Sequence, residues 1–126
     1  MFSNIYCGKK ILLTGHTGFK GTWLTTWLLH LGANVIGVSK DIPTNPSMFN
    51  ILKLSDKIRN VVLDIRNFKD ISKVISDNKP DFVFHLAAQA IVSTSYTDPL
   101  ETISSNTMGT TNILEALRIS NHQCTA

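Results

Sequence analysis

Apolar residues in this chain follow two rhythms. Short unbroken runs such as Ile11-Leu12-Leu13 and Phe82-Val83-Phe84 alternate with longer stretches whose apolar positions recur every three or four residues. The first pattern marks strands buried on both faces, and the second marks helices with one apolar side. It predicts strands at about Lys10–Thr14, Asn34–Val38, Asn60–Leu63 and Asp81–His85. Helices are predicted at about Phe19–Leu31, Ser47–Leu54 and Phe68–Asp77, with a last one from Pro99 to about Ile119. Alternating strands and helices with short links build a parallel sheet, and right-handed crossovers give the strand order 3-2-1-4. The expected fold is the first half of a Rossmann-like, doubly wound α/β sheet. A ligand of such a sheet crosses the carboxyl ends of strands one and four, at the topological switch point.

Local signals support these elements. Trp23, Leu24, Trp27, Leu28 and Leu31 give the first helix one broad apolar face, which assigns both tryptophans to the core, and Gly32 follows as a helix stop. Ser47 is a candidate N-cap after a loop that Pro43 and Pro46 keep out of regular structure. Phe68, Ile71, Val74 and Ile75 share a face of the third helix, which Asn78-Lys79-Pro80 ends. The last helix has Asp98 as cap, Pro99 in the first turn and Glu101 completing a capping box. Leu100, Ile103, Thr107, Leu114 and Leu117 fall on one side of it. Gly109 inside that helix costs about 1 kcal/mol relative to Ala, which close packing would offset.

The candidate chemistry centres on Gly15-His16-Thr17-Gly18-Phe19-Lys20-Gly21, between the first strand and the first helix. The spacing is G-x-x-G-x-x-G rather than G-x-G-x-x-G, but strand, turn and helix come in the order that a dinucleotide-binding unit requires. Gly15 permits the tight turn, Gly18 lets backbone approach a pyrophosphate, and Gly21 lets the helix pack on the strand. The helix start then offers free N–H groups and the positive end of its dipole to phosphate. Asp41, twenty residues past Gly21, is where an acid selecting NAD through its ribose is sought, while the adjacent Lys40 can instead favour a 2′-phosphate. Asp64 ends the third strand, where a carboxylate can accept from an adenine amine. Leu86-Ala87-Ala88 is small-residue backbone suited to close approach by a flat cofactor. His16 reads as structural or as a phosphate neighbour, and His85 as packed in the core. Ser93, Ser95 and Tyr96 form a polar loop, without a Tyr-x-x-x-Lys pair, a nucleophilic triad or a metal-ligand cluster anywhere in the chain.

Composition narrows the class. With 43% hydrophobic and 17% charged residues among 126, the chain reads as one ordinary soluble domain. A net charge of +3 comes from scattered basic residues, which argues against nucleic acid as a partner. No signal peptide or apolar run long enough to span a membrane is visible, and Cys7 and Cys124 read as reduced thiols, so the expected location is cytoplasmic.

Three blocks go further. Gly15-His16-Thr17-Gly18-Phe19-Lys20-Gly21-Thr22-Trp23-Leu24 resembles the opening of CDP-glucose 4,6-dehydratases, in the extended short-chain dehydrogenase/reductase superfamily. So do Asp41-Ile42-Pro43-Thr44-Asn45-Pro46-Ser47-Met48-Phe49 and His85-Leu86-Ala87-Ala88-Gln89-Ala90, the latter running on through Ser95-Tyr96-Thr97-Asp98-Pro99 to Asn106-Thr107-Met108-Gly109-Thr110. The resemblance implies NAD as cofactor, held by Gly15, Gly18, Phe19, Lys20, Gly21, Asp64, Ile65, Leu86, Ala87, Ala88, Gln89 and Ser105. It implies CDP-glucose as substrate of a full-length protein, expected to be a homo-oligomer. The family's reaction oxidises C4 of the sugar, removes water across C5 and C6, and returns the hydride to C6, giving CDP-4-keto-6-deoxyglucose, a precursor of unusual surface sugars. A basic residue usual in the family is replaced here by Ser93-Thr94. The chain ends at Ala126, about where a fifth strand is due, so the family's catalytic tyrosine, lysine and threonine and its substrate domain are expected beyond it. Residues 1–126 then form the N-terminal part of an NAD-binding domain, inactive alone. Another nucleotide-sugar dehydratase or epimerase, or a non-catalytic NAD-binding module, remains the alternative.

Overall fold

The structure, a computed structural model, describes residues 1–126. Its centre is a four-stranded, all-parallel sheet in the order β3-β2-β1-β4, built from β1 (Lys10–Thr14), β2 (Asn34–Ser39), β3 (Arg59–Val62) and β4 (Phe82–His85). The register sets Leu12 beside Ile36 and Val83, so the innermost strand is apolar on both sides. Successive side chains point to opposite faces. Leu12, Ile36, Val38 and Val83 therefore join Ile71, Ile75, Ile113 and Ala116 in one core layer, while Ile11, Leu13 and Val35 pack with Leu28 and Ala33 in the other.

The helices are α1 (Phe19–His30), α2 (Met48–Ile51), α3 (Phe68–Asn78), α4 (Val92–Thr97), α5 (Pro99–Ile103) and α6 (Gly109–Ser120). Ser47, Asn67 and Asp98 cap α2, α3 and α5 by accepting from the backbone N–H three residues on. Ser93, Ser95 and Tyr96, expected in a loop, lie in the short α4. Between α5 and α6 the chain runs through a π-helical turn, Ser104–Met108, so the long C-terminal helix changes pitch midway.

Two helix faces differ from the periodic reading. The buried side of α1 is Gly21, Thr22, Thr25 and Leu28, whereas Trp23 and Trp27 are 55% and 46% exposed. Small residues let α1 lie close to the glycine turn. The threonine hydroxyls are satisfied locally, Thr25 on the Gly21 carbonyl at 2.8 Å and Thr22 on the His16 carbonyl at 3.2 Å, so burying them costs little. Phe2 packs edge-on against Trp27, and Tyr6 against Phe82, so the N-terminal residues shield part of this side rather than trailing free. The C-terminal helix buries Ser105, Gly109, Ile113 and Ala116, while Leu100, Ile103 and Leu114 are exposed. The π turn shifts the helical phase there, and the inward stripe combines the small Ser105, Gly109 and Ala116 with Ile113.

At the far edge, Thr125 lies parallel to β4: its N–H donates to the Asp81 carbonyl at 3.0 Å and its own carbonyl accepts from Val83 N–H at 2.8 Å. No helix is long and apolar enough to cross a membrane.

Candidate functional site

The turn Gly15–Gly18 continues β1 and touches the other three strands or the chain just past them: Gly15 meets the chain after β4, and His16 reaches Ser39 at the end of β2 and Asn60 in β3. Gly15 has φ +74°, and a Cβ there would lie 2.7 Å from the Ala87 backbone nitrogen, so the turn presses directly on the chain leaving β4. A Cβ at Gly21 would fall on the Gly15 carbonyl, so the first turn of α1 sits on the turn itself. Gly18 differs: its nearest neighbour to a notional Cβ is the Gly15 oxygen at 3.5 Å, ordinary contact. Nothing internal requires a glycine there, and the missing side chain leaves the mouth of the turn open. No side chain caps α1, and the N–H groups of Phe19, Lys20 and Gly21 have no partner within the chain. Free donors at the positive end of a helix dipole, beside an open glycine, suit a phosphate. The residues present therefore fit a dinucleotide.

The turn's polar side chains reach other strands. His16 is fully buried, with Nε2 2.7 Å from Asn60 Oδ1 and Nδ1 3.1 Å from Ser39 Oγ, and its ring meets Phe49 edge-on. In the neutral ring, Nε2–H donates to the amide oxygen and Nδ1 accepts from the hydroxyl. Burial holds its pKa below the ordinary imidazole value against the smaller opposing pull of Asn60 and the Val38 carbonyl. Thr17 donates to the Asp41 carbonyl at 2.7 Å. Thr14 Oγ1 accepts from Leu86 and Ala87 N–H, both at 3.2 Å, and pairs with His85 Nδ1 at 2.6 Å, while His85 Nε2 meets Thr110 Oγ1 at 2.9 Å. His85 is thus a packed linker whose pKa burial lowers.

The loop after β4 is held at its other end by Asn106, which accepts from Gln89 N–H at 2.7 Å and donates to the Gln89 carbonyl at 3.0 Å. Ile65 is buried against Gly109, whose notional Cβ would strike its side chain, and the Ile65 and Arg66 carbonyls both accept from Asn112. The Asp64 carboxylate receives the Arg66 guanidinium, which holds it below the usual carboxylate range. Arg66 also donates to Glu101, whose other oxygen is 3.0 Å from Lys40 Nζ, and Ser105 Oγ donates to Glu101 at 3.1 Å. Asp41 is exposed and its carboxylate has no partner. Glu101 does not close a capping box either: Asp98 N–H is bonded to the Thr94 carbonyl, and the Glu101 side chain is engaged with Lys40 and Arg66.

Of the thirteen residues proposed as cofactor contacts, Gly15, Gly18, Asp41, Asp64, Ile65 and Leu86 to Gln89 lie in the loops that leave the four strands, Phe19, Lys20 and Gly21 in the first turn of α1, and Ser105 in the π turn before α6. Thr14, Glu101, Arg66, Asn106 and Asn112 escaped the sequence reading. Each acts through a partner far along the chain, and only the strand-end position of Thr14 and Arg66 hinted at them.

The family model for GDP-mannose 4,6 dehydratase matches residues 12–126. The chain belongs to that family. It is 47% identical to the CDP-glucose 4,6-dehydratase of Salmonella typhimurium over 115 residues, which is 91% of this chain and 32% of that protein. It is also 36% identical over 117 residues to the CDP-paratose 2-epimerase of Salmonella typhi, covering 91% of this chain and 34% of the relative. Among solved structures, the UDP-glucose 4-epimerase of Thermus thermophilus in complex with NAD superposes with a TM-score of 0.78 at 28% identity, over 90% of this chain and 35% of that one. The Thermotoga maritima UDP-glucose 4-epimerase with UDP-glucose gives a TM-score of 0.81 at 27% identity, over 92% and 36%. The chain thus spans about a third of the length of the relatives it matches. Membership of the GDP-mannose 4,6 dehydratase family agrees with the strand order 3-2-1-4 and with the glycine turn at its switch point.

Proposed function

We propose that this chain is the N-terminal, NAD-binding part of a nucleotide-sugar 4,6-dehydratase whose substrate is CDP-glucose. The observation that carries the reading is the uncapped start of α1 over a glycine turn wedged against the β4 loop. The 47% identity to a CDP-glucose 4,6-dehydratase, beside lower identities to other nucleotide-sugar enzymes, supports the substrate. Phe19, Lys20 and Gly21 N–H would hold the diphosphate, with the exposed Lys20 ammonium adding charge. Asp64, Ile65 and Ser105 would border the adenosine, and Leu86, Ala87, Ala88 and Gln89 would line the path toward the nicotinamide. When bound, NAD would supply the hydride acceptor for oxidation at C4 and the donor for reduction at C6. Thr14 and Asn106 hold the β4 loop in place from two sides, and proton transfers at the sugar fall to residues of a longer protein with its own substrate domain.

Calorimetric titration with NAD tests the cofactor assignment: saturable binding is expected, and none at millimolar NAD would refute it. Turnover of CDP-glucose by the protein translated through and beyond codon 126 tests the substrate. Faster dehydration of a UDP-, dTDP- or GDP-sugar would replace it. Lack of an in-frame Tyr-x-x-x-Lys would favour a binding module without chemistry.

A further inference from the structure

We infer that Glu101 sets the choice between NAD and its 2′-phosphorylated form, by occupying the two cations that the ends of β2 and β3 present; this rests on the cofactor reading above. In a sheet of this type the residues just past the second strand face the ribose, where an acid favours the free 2′-hydroxyl and a cation favours a 2′-phosphate. Here that position offers Lys40, one residue beyond β2, with Arg66 beside it beyond β3. Left to themselves, these two groups make a phosphate site. The neighbouring acid, Asp41, does not offset them: it is exposed, its carboxylate has no partner, and only its carbonyl is engaged, by Thr17.

The offsetting charge comes from α5. One Glu101 oxygen takes the Lys40 ammonium at 3.0 Å and the other takes Arg66 Nη1, while Asp64 holds the remaining edge of the guanidinium. Ser105 donates to Glu101 at 3.1 Å and orients it. Two cations are thereby matched to two carboxylates. A 2′-phosphate arriving there must displace Glu101 from Lys40 and then sit beside the displaced charge. A 2′-hydroxyl brings no charge and meets no such penalty. The ion pairs keep Glu101 ionised well below neutral pH, so the arrangement persists across the physiological range.

The test is equilibrium binding of NAD and NADP to the full protein and to Glu101→Gln, followed by calorimetry. The wild type is expected to favour NAD, and Glu101→Gln to improve NADP binding about tenfold relative to NAD, by an amount that shrinks with added salt. Lys40→Met in the Glu101→Gln background should return the ratio toward its starting value. If Glu101→Gln does not fold, as judged by its melting curve, Lys40→Met alone serves: it should weaken NADP further and NAD little. NAD binding by the wild type with a ratio unchanged within about twofold in Glu101→Gln would overturn the assignment while leaving the cofactor reading intact. A shift produced by Asp41→Asn in place of Glu101→Gln would overturn it too. Binding of neither dinucleotide by the wild type would remove the cofactor reading, and this inference with it.

Discussion

Replacing His16 tests whether the glycine turn is held by its side chains or by its backbone alone. The ring is fully buried, bonded at both nitrogens, and lies directly under Gly37 of β2, where a notional Cβ would come within 2.5 Å of the imidazole. His16→Ala removes two hydrogen bonds worth about 1 kcal/mol each, leaves the buried Ser39 hydroxyl without its acceptor, and opens a cavity of about imidazole size. The sum is about 3 kcal/mol. Asn60 is exposed and can turn to water, which keeps the figure from rising further. Gly37→Ala alone should cost about 1–3 kcal/mol through overpacking against the ring. In the double variant the added methyl enters the space the ring has left, so the two losses should fall short of additivity by about 1 kcal/mol or more. Urea denaturation of the four proteins of the cycle reads this directly. Additivity within about 0.5 kcal/mol, or a His16→Ala loss below about 1 kcal/mol, would show that the ring does not bear on β2 as its geometry demands.

Further outcomes follow from the same contacts. His16 and His85 both have pKa values lowered from 6.5, so the unfolded chain takes up protons that the folded chain refuses. Stability should therefore fall as pH drops through about 6.5 and toward the folded-state values, and stay level in this respect above about 7.5; a melting temperature that rises between pH 7 and 5.5 would contradict this. Gly109→Ala should destabilise by about 1–2 kcal/mol in spite of its gain in helix propensity, because the methyl meets Ile65, and Ile65→Val should relieve the loss; a stabilised single variant on denaturation would refute the contact. Trp23 and Trp27, the only tryptophans, should be quenched by acrylamide to an extent between that of a free indole and that of a buried one, and strong protection would show their face to be covered.

The strands were legible because a parallel strand covered on both faces must be apolar throughout, and Ile11-Leu12-Leu13 has no other economical reading. Caps were legible for a similar reason: Ser47, Asn67 and Asp98 act on donors three residues away, within the reach of local sequence, though Asn67 itself drew no notice. The helix faces were not. Hydrophobicity ranks Trp23 above Thr25, but the side that meets the sheet is chosen by how closely the backbones approach, and that favours Gly21, Thr22 and Thr25. The π turn at Ser104–Met108 moves the inward stripe of the last helix, and no residue there announces it. Glu101 misled for another reason. Its spacing from Asp98 suits a capping box, but two cations from just beyond β2 and β3 compete for the same carboxylate and win: they bring full opposite charges, and the Asp98 N–H is already held by the Thr94 carbonyl.

The fillers of the glycine turn now have separate physical roles. Gly15 bears on the backbone after β4, His16 on Ser39 of β2 and Asn60 of β3, and Thr17 on the chain after β2. Thr14, just before them, reaches the β4 loop. A turn built from glycines alone could form the same hydrogen-bonded bend, yet it would be free to shift against the strand ends, and donors aimed at a phosphate act only where they are aimed. Fixing the turn to three strands before a ligand arrives moves that ordering cost from binding into folding. Gly18 and the unpaired N–H groups of Phe19, Lys20 and Gly21 are then the part left free, facing outward from a frame that every neighbouring residue holds still.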